Sequence, residues 1–313
     1  MSLITRHLSL VTRLVTRHSS LFFLLFLFTG CEVKPPDFGE PWNEFSGTAA
    51  LAHVQALVDF GPRPPASRAL EKSRAYIRQQ LEKSGWRVRE QKFTDDTPRG
   101  KLAFVNLIAR HGRRPKKEKR FLVCSHYDTK TFDNIRFVGA NDGGSSTGAL
   151  LEMARVLSLH PELARRIDLV FFDGEEAYDQ FTDTDGLYGS RHFAHRLAET
   201  KRAGRFRGAI LWDMMGDRDL TITLPPDSPG EMAQQIFASA NALGAREHFT
   251  YYMSDVLDDH TPLNRAGIPA IDLIDFDYPP WHTADDTIDK LSAQSLQTVG
   301  AVTAYYLAKF AFK

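Results

Sequence analysis

The sequence predicts an α/β fold: a single domain with a mixed, mostly parallel central sheet flanked by helices on both faces. Three observations carry that prediction. Short apolar runs alternate along the chain with segments whose apolar residues recur at helical spacing, the pattern of strands joined by helical crossovers. The run Ile167–Phe172 stops at Asp173-Gly174, as a buried strand does where it runs out into a turn. The composition, 42% hydrophobic and 25% charged over 313 residues, is that of an ordinary globular chain long enough for one large domain.

The elements follow in order. Residues 67–85 read as an amphipathic helix, with Leu70, Ile77 and Leu81 on one face and Gly85 as its stop. Residues 86–93, 104–109 and 121–125 are candidate strands. The basic stretch 110–120 between the last two reads as a solvated hairpin turn, so the early strands are expected to form an antiparallel edge. Helix 145–157 places Leu150, Met153, Ala154 and Leu157 at core spacing. Strand Ile167–Phe172, helix 190–197, strand 209–212, helix 231–243 and strand 268–274 follow. A closing helix over 292–310 carries Leu296, Val299, Tyr306 and Leu307.

The first thirty residues stand apart. Arg6, Arg13 and Arg17 precede an apolar run of eight over residues 21–28. Eight helical residues cover about 12 Å, too short for a hydrocarbon core of about 30 Å. A short apolar core followed by Thr29-Gly30 is a secretory signal. Cys31 directly after it resembles the bacterial lipoprotein lipobox. The expectation is a signal peptide over 1–30, a tether over 31–45, and a catalytic domain over 46–313, held to the bacterial envelope by a lipid on Cys31. Its location would then be periplasm-facing or on the outer surface. With 39 basic and 39 acidic side chains, the net charge gives no support for a nucleic-acid partner. Cys124, the other cysteine, lies in an apolar run and reads as a buried strand residue.

Five segments place a potential ligand just past an apolar run: His126-Tyr127-Asp128, Asn141-Asp142, Glu175-Glu176, Asp213 and Trp281-His282-Thr283. In open α/β sheets the carboxyl ends of strands are where ligands bind. Two His, two Asp and a Glu suit zinc, which takes nitrogen and carboxylate oxygen. The adjacent Glu175 and Glu176 point in diverging directions, so one can face a metal while the other faces reacting atoms.

These segments resemble the zinc aminopeptidase family known as M28, which implies a zinc aminopeptidase-like α/β/α sandwich. In its di-zinc peptidases the matching positions imply Asp142 bridging two zincs, His126 and Asp213 completing one site, and Glu176 and His282 the other. Glu175 would be the general base. The segments His126-Tyr127-Asp128-Thr129-Lys130, Asp258-Asp259-His260-Thr261-Pro262 and Trp281-His282-Thr283 resemble more narrowly the glutaminyl cyclase branch of that family. That resemblance implies cyclisation of N-terminal Gln on peptides or proteins to pyroglutamate with release of ammonia. It also implies a single zinc on Asp142, Glu176 and His282. Glu175 would carry the proton, Asp213 and Asp258 would steer proton and amine, and Trp281 and Phe181 would wall the substrate. The alternative is a di-zinc aminopeptidase with His126 and Asp213 on the second metal. Phe181 stands where animal cyclases carry Trp, and Asp272 where they carry His.

The remaining signals are assigned blander roles. His192 and His195 read as surface or capping residues, Asp128 as an acceptor for His126, and Asp285-Asp286 as a turn cap. Residues 143–147 read as a helix start beside the metal.

Overall fold

A computed structural model describes residues 36–113 and 118–313. The expected signal peptide and Cys31 lie outside the described residues, as does the middle of the basic stretch. The body spans Asp37–Lys313. In chain order its elements are α1 (Gly47–Asp59), α2 (Arg68–Lys83), β1 (Trp86–Thr97), β2 (Gly100–His111), β3 (Arg120–His126), α3 (Gly144–Leu159), α4 (Pro161–Ala164) and β4 (Ile167–Phe172). Then come α5 (Tyr188–Glu199), β5 (Phe206–Asp213), β6 (Ile222–Leu224), α6 (Gly230–Ala242), β7 (Phe249–Tyr251), α7 (His260–Arg265), β8 (Ala270–Ile274) and α8 (Ala293–Lys309).

One eight-stranded sheet runs β1-β2-β4-β3-β5-β8-β6-β7. Its centre, β4-β3-β5-β8, is parallel throughout, which brings the C-terminal ends of β3, β4 and β5 to one edge. Helices cover both faces: α1, α3 and α8 pack with the larger apolar cluster, α5 and α7 with a smaller one around Val170, Phe172 and Phe193. The α/β class with a mixed, mostly parallel sheet is as the sequence predicts.

Two readings are corrected. β1 and β2 do form an antiparallel hairpin at the edge, but β2 and β3 do not pair, because β4 lies between them. Every residue of β3 is buried, so it needs a partner on each side. β4 supplies one of them in parallel while its other edge takes Leu107–Arg110 of β2. The last part of the stretch expected as a tether also packs with the body. Phe38, Trp42 and Phe45 are buried in the main cluster. Trp42 packs on Tyr305 with ring centroids 4.7 Å apart, and Phe45 sits where a Cβ on Gly300 would approach its ring to 2.2 Å. Helix α1 was not anticipated either, although Ser46 caps it by accepting from the Ala49 amide and Ala50, Val54 and Leu57 are buried at helical spacing. No helix of the described residues is long and apolar enough to cross a membrane.

Candidate active site and metal centre

Three strand ends deliver the site. His126 ends β3, Asp213 ends β5, and Asp173-Gly174 turns the chain out of β4 into Glu175-Glu176. Asp142 comes from the loop before α3, and Trp281-His282 from the segment beyond β8. A single narrow cleft is lined by Asp142, Glu175, Glu176, Asp213, Asp258 and His282, with Phe181 and Trp281 among its apolar walls. His126 lies beneath it, 1% exposed. Every site residue expected from the sequence is thus brought to one place.

Two donor groups share Asp142. In the first, His282 Nε2 lies 3.3 Å from Asp142 Oδ2 and 3.3 Å from Glu176 Oε2. In the second, His126 Nε2 lies 3.1 Å from Asp213 Oδ1 and 3.3 Å from Asp142 Oδ1. Donors bound at about 2.0–2.1 Å to a tetrahedral ion sit about 3.3 Å from one another. The two groups differ in saturation. Asp142 Oδ2 and both Glu176 carboxylate oxygens are buried without a hydrogen-bond partner. Asp213 Oδ1 instead accepts from the Met214 amide at 2.8 Å and meets His126 Nε2 in a hydrogen bond. Lys130 Nζ stands 3.7 Å from Glu176 Oε2 and offsets part of its charge. Buried carboxylate oxygens without hydrogen-bond donors are still costly, so the Asp142, Glu176, His282 group is the one whose chemistry calls for a cation.

The charges agree with that crowding. Burial, then Asp142, raises the Glu176 carboxyl to about 7 against the opposing pull of His282. Burial alone would lower His282, but Asp142 and Glu176 raise it to about 9. Burial opposes ionisation of Asp142, yet the neighbouring imidazoles of His126 and His282 bring it well below the usual carboxylate range. Glu175 is raised well above its ordinary value by burial, and Asp258 and Glu176 add to the rise while His126 opposes it.

Several supports went unread in the sequence. Arg63 is fully buried and donates from Nε to Tyr127 O at 3.2 Å, Nη1 to Val138 O at 2.7 Å and Nη2 to Gly139 O at 2.9 Å. It clamps the loop that leads to Asp142. Asp286 is no exposed cap: it is buried, and its carboxylate accepts from the Asn141 amide at 2.8 Å, the Asp142 amide at 3.1 Å and the Tyr278 hydroxyl at 2.7 Å. Asp128 serves the glutamates more than His126, accepting from the Glu175 and Glu176 amides at 3.1 and 3.4 Å while standing 3.5 Å from His126 Nδ1. Gly143 has φ +71°, and a Cβ there would come within 2.6 Å of Asp128 O and 2.8 Å of the His126 ring, so only glycine fits. His282 itself has φ +56°, a left-handed backbone that costs a non-glycine residue about 1–3 kcal/mol. Trp281 stacked at 4.2 Å, with Phe132 and Phe137 at its edges, holds it there.

Behind the cleft lies a second acidic layer. Asp272 is fully buried, 3.6 Å from His260 Nδ1. Burial, then Asp258 and Asp213, holds its carboxyl well above the usual range. Of the helix histidines, His192 stacks on Phe93 at 4.1 Å and His195 is exposed, as their surface assignment requires. Cys124 is a buried free thiol.

Comparison with known proteins agrees with the geometry. The Peptidase family M28 model matches residues 106–307. A glutaminyl-peptide cyclotransferase of Boiga irregularis is 29% identical over 292 residues, covering 81% of this chain and 78% of the relative. The glutaminyl cyclase of an Acidobacteriales bacterium superposes with a TM-score of 0.80 at 34% identity, over 88% of this chain and 97% of that one. A Zn-dependent exopeptidase from Parabacteroides distasonis superposes with a TM-score of 0.75 at 26% identity, over 88% of this chain and 100% of that one.

Proposed function

The chain belongs to peptidase family M28, and within it we propose a glutaminyl-peptide cyclotransferase that closes an N-terminal glutamine of a peptide or protein to pyroglutamate and releases ammonia. The observation that carries the reading is the lining of the cleft: an unsaturated ligand set, a buried glutamate beside it, a carboxylate behind it and an apolar wall in front. Similarity to cyclases over most of the chain supports it.

Asp142, Glu176 and His282 would hold one zinc. When bound there, zinc supplies Lewis-acid polarisation of the γ-amide carbonyl and stabilises charge developing on its oxygen. The chain's own residues do the rest. The substrate α-amine attacks its γ-carbonyl carbon, a C–N bond forms, and the bond to the amide nitrogen breaks. Glu175 takes the proton from the amine and delivers it to the departing nitrogen, which leaves as ammonia. A carboxyl raised by burial and neighbouring carboxylates takes a proton more readily than an ordinary glutamate, which suits it to accept one from the amine and pass it on. Asp258 and Asp213 orient the amine and the proton. Trp281, 41% exposed, with Phe181, Phe276 and Leu257, forms the wall that keeps water from competing for the carbonyl.

Paired peptides test the reaction. Ammonia from a Gln-initiated peptide, abolished by a chelator, with no leucine from a Leu-initiated one, is the expected result. The second reading is a di-zinc aminopeptidase, favoured by the second donor group His126, Asp142 and Asp213. Free leucine with two zincs per chain would establish it and overturn the first. The proposal extends to location: a lipid on Cys31 would hold the enzyme at a bacterial envelope. A Cys31→Ser chain should then leave the membrane fraction, and one that stays would refute the anchor.

A further inference from the structure

At the N-terminal ends of β3 and β5, on the face covered by α5, a cavity of about 340 Å3 is lined by Arg89, Arg110, Arg120, Arg196, Arg202 and Arg205. The strands' length places it on the order of 20 Å from the cleft. The arginines come from β1, β2, the first residue of β3, α5 and the turn into β5. Register explains the gathering. Arg89 pairs with Ile108, and Arg110, two residues further along β2, pairs with Asp168 of β4, so all share the α5 face.

The charges do not balance. Asp168 takes Arg110 at 2.9 Å and also Arg120, while Glu199 takes Arg196 at 2.6 Å. No carboxylate among the described residues pairs with Arg89, Arg202 or Arg205. Arg89 responds: burial, then Arg110 and Arg202, lowers its pKa. Phe206, with Arg120 4.5 Å above its ring, and Phe193 give the cavity an apolar floor. Like charges collected in a concavity focus the field and draw a counter-ion. Guanidinium forks match the paired oxygens of a phosphate group, and several converging forks favour a ligand with more than one negative charge. The arginines ring one concavity rather than forming an extended basic stripe, which favours a small anion over a polymer.

We propose that this cavity binds a multiply charged oxyanion of the phosphate class, at a site separate from the catalytic cleft. Two sources share that chemistry, a free pyrophosphate-like anion and the phosphate headgroup of a lipid. Titration calorimetry on the full chain with inorganic pyrophosphate, and with glycerol 3-phosphate as the soluble headgroup, separates them by which binds more tightly. Pyrophosphate binding should weaken as salt rises. It should weaken at least tenfold further in an Arg89→Gln, Arg202→Gln double variant, whose changed side chains are exposed and leave ammonia release unaltered. Binding should be unchanged in Glu175→Gln. Absence of binding by both probes, or equal affinity in the double variant, would overturn the proposal.

Discussion

At the carboxyl ends of β3, β4 and β5 the chain buries carboxylates, whereas at the amino ends of β3 and β5 it gathers arginines around an open cavity. The neutral net charge of the sequence conceals this separation. The difference lies in what can compensate each end. Asp142, Glu175, Glu176, Asp213, Asp258, Asp259 and Asp272 are nearly or fully buried, so water and salt reach them poorly. Imidazoles, the Lys130 ammonium beside Glu176, protons or a held cation must offset them. Arg89, Arg202 and Arg205 are exposed, so solvent screens them and a mobile anion suffices. Buried charge makes a site that must be built with its metal and protons in place. Exposed charge makes one that can fill and empty.

The largest effect should come from removing the cation's histidine. His282→Ala leaves Asp142 and Glu176 facing each other with one donor fewer. Zinc affinity should fall beyond the 10- to 100-fold typical of losing an outer partner, and cyclisation with it. Metal analysis after dialysis against a weak chelator checks this, and retained zinc would break the comparison.

Next is Arg63→Met. It keeps the bulk but strips donors from three buried carbonyls, and should cost about 3 kcal/mol or more, read as a lowered denaturant midpoint.

Asp173 tests how far the acidic end relies on protons. Burial, then Asp128, raises it from 3.8 to about 7. The folded state therefore keeps a proton over a range in which the unfolded residue has lost it. The stability this group contributes is complete below pH about 4 and is lost as pH rises through about 7. The parent should fall relative to Asp173→Asn by at most about 1.4 kcal/mol per pH unit over that window, then level off. Urea midpoints at several pH values measure it, and a constant difference would contradict the assignment.

The smallest effect belongs to the basic end. Arg202→Gln should raise the melting temperature by about a degree in low salt, through relieved repulsion, and by nothing at high salt. A change that persists at high salt would mean the arginines are not merely screened neighbours.

The acidic end was largely legible in the sequence because His126, Glu175, Glu176 and Asp213 each follow an apolar run, and that adjacency survives folding. Arg63 and Asp286 were not legible, since most of their partners are backbone groups 64 to 145 residues away that no local pattern announces. The insertion of β4 between β2 and β3 was hidden for a related reason: chain neighbours with a short link suggest a hairpin, and only the burial of β3 on both sides rules it out. Strands β6 and β7, three residues each, are too short to show periodicity. The arginine cavity was the least visible feature, because its residues are scattered over five segments and converge through strand register.

The claim on which the account turns is that the adjacent glutamates divide their work, Glu176 holding metal and Glu175 moving the proton. Ammonia release from a Gln-initiated peptide by Glu175→Gln, with zinc quantified in the same sample, tests it. The account predicts a loss of about 10²- to 10⁴-fold in rate with zinc unchanged. Parental activity, or loss of zinc in step with activity, would contradict it.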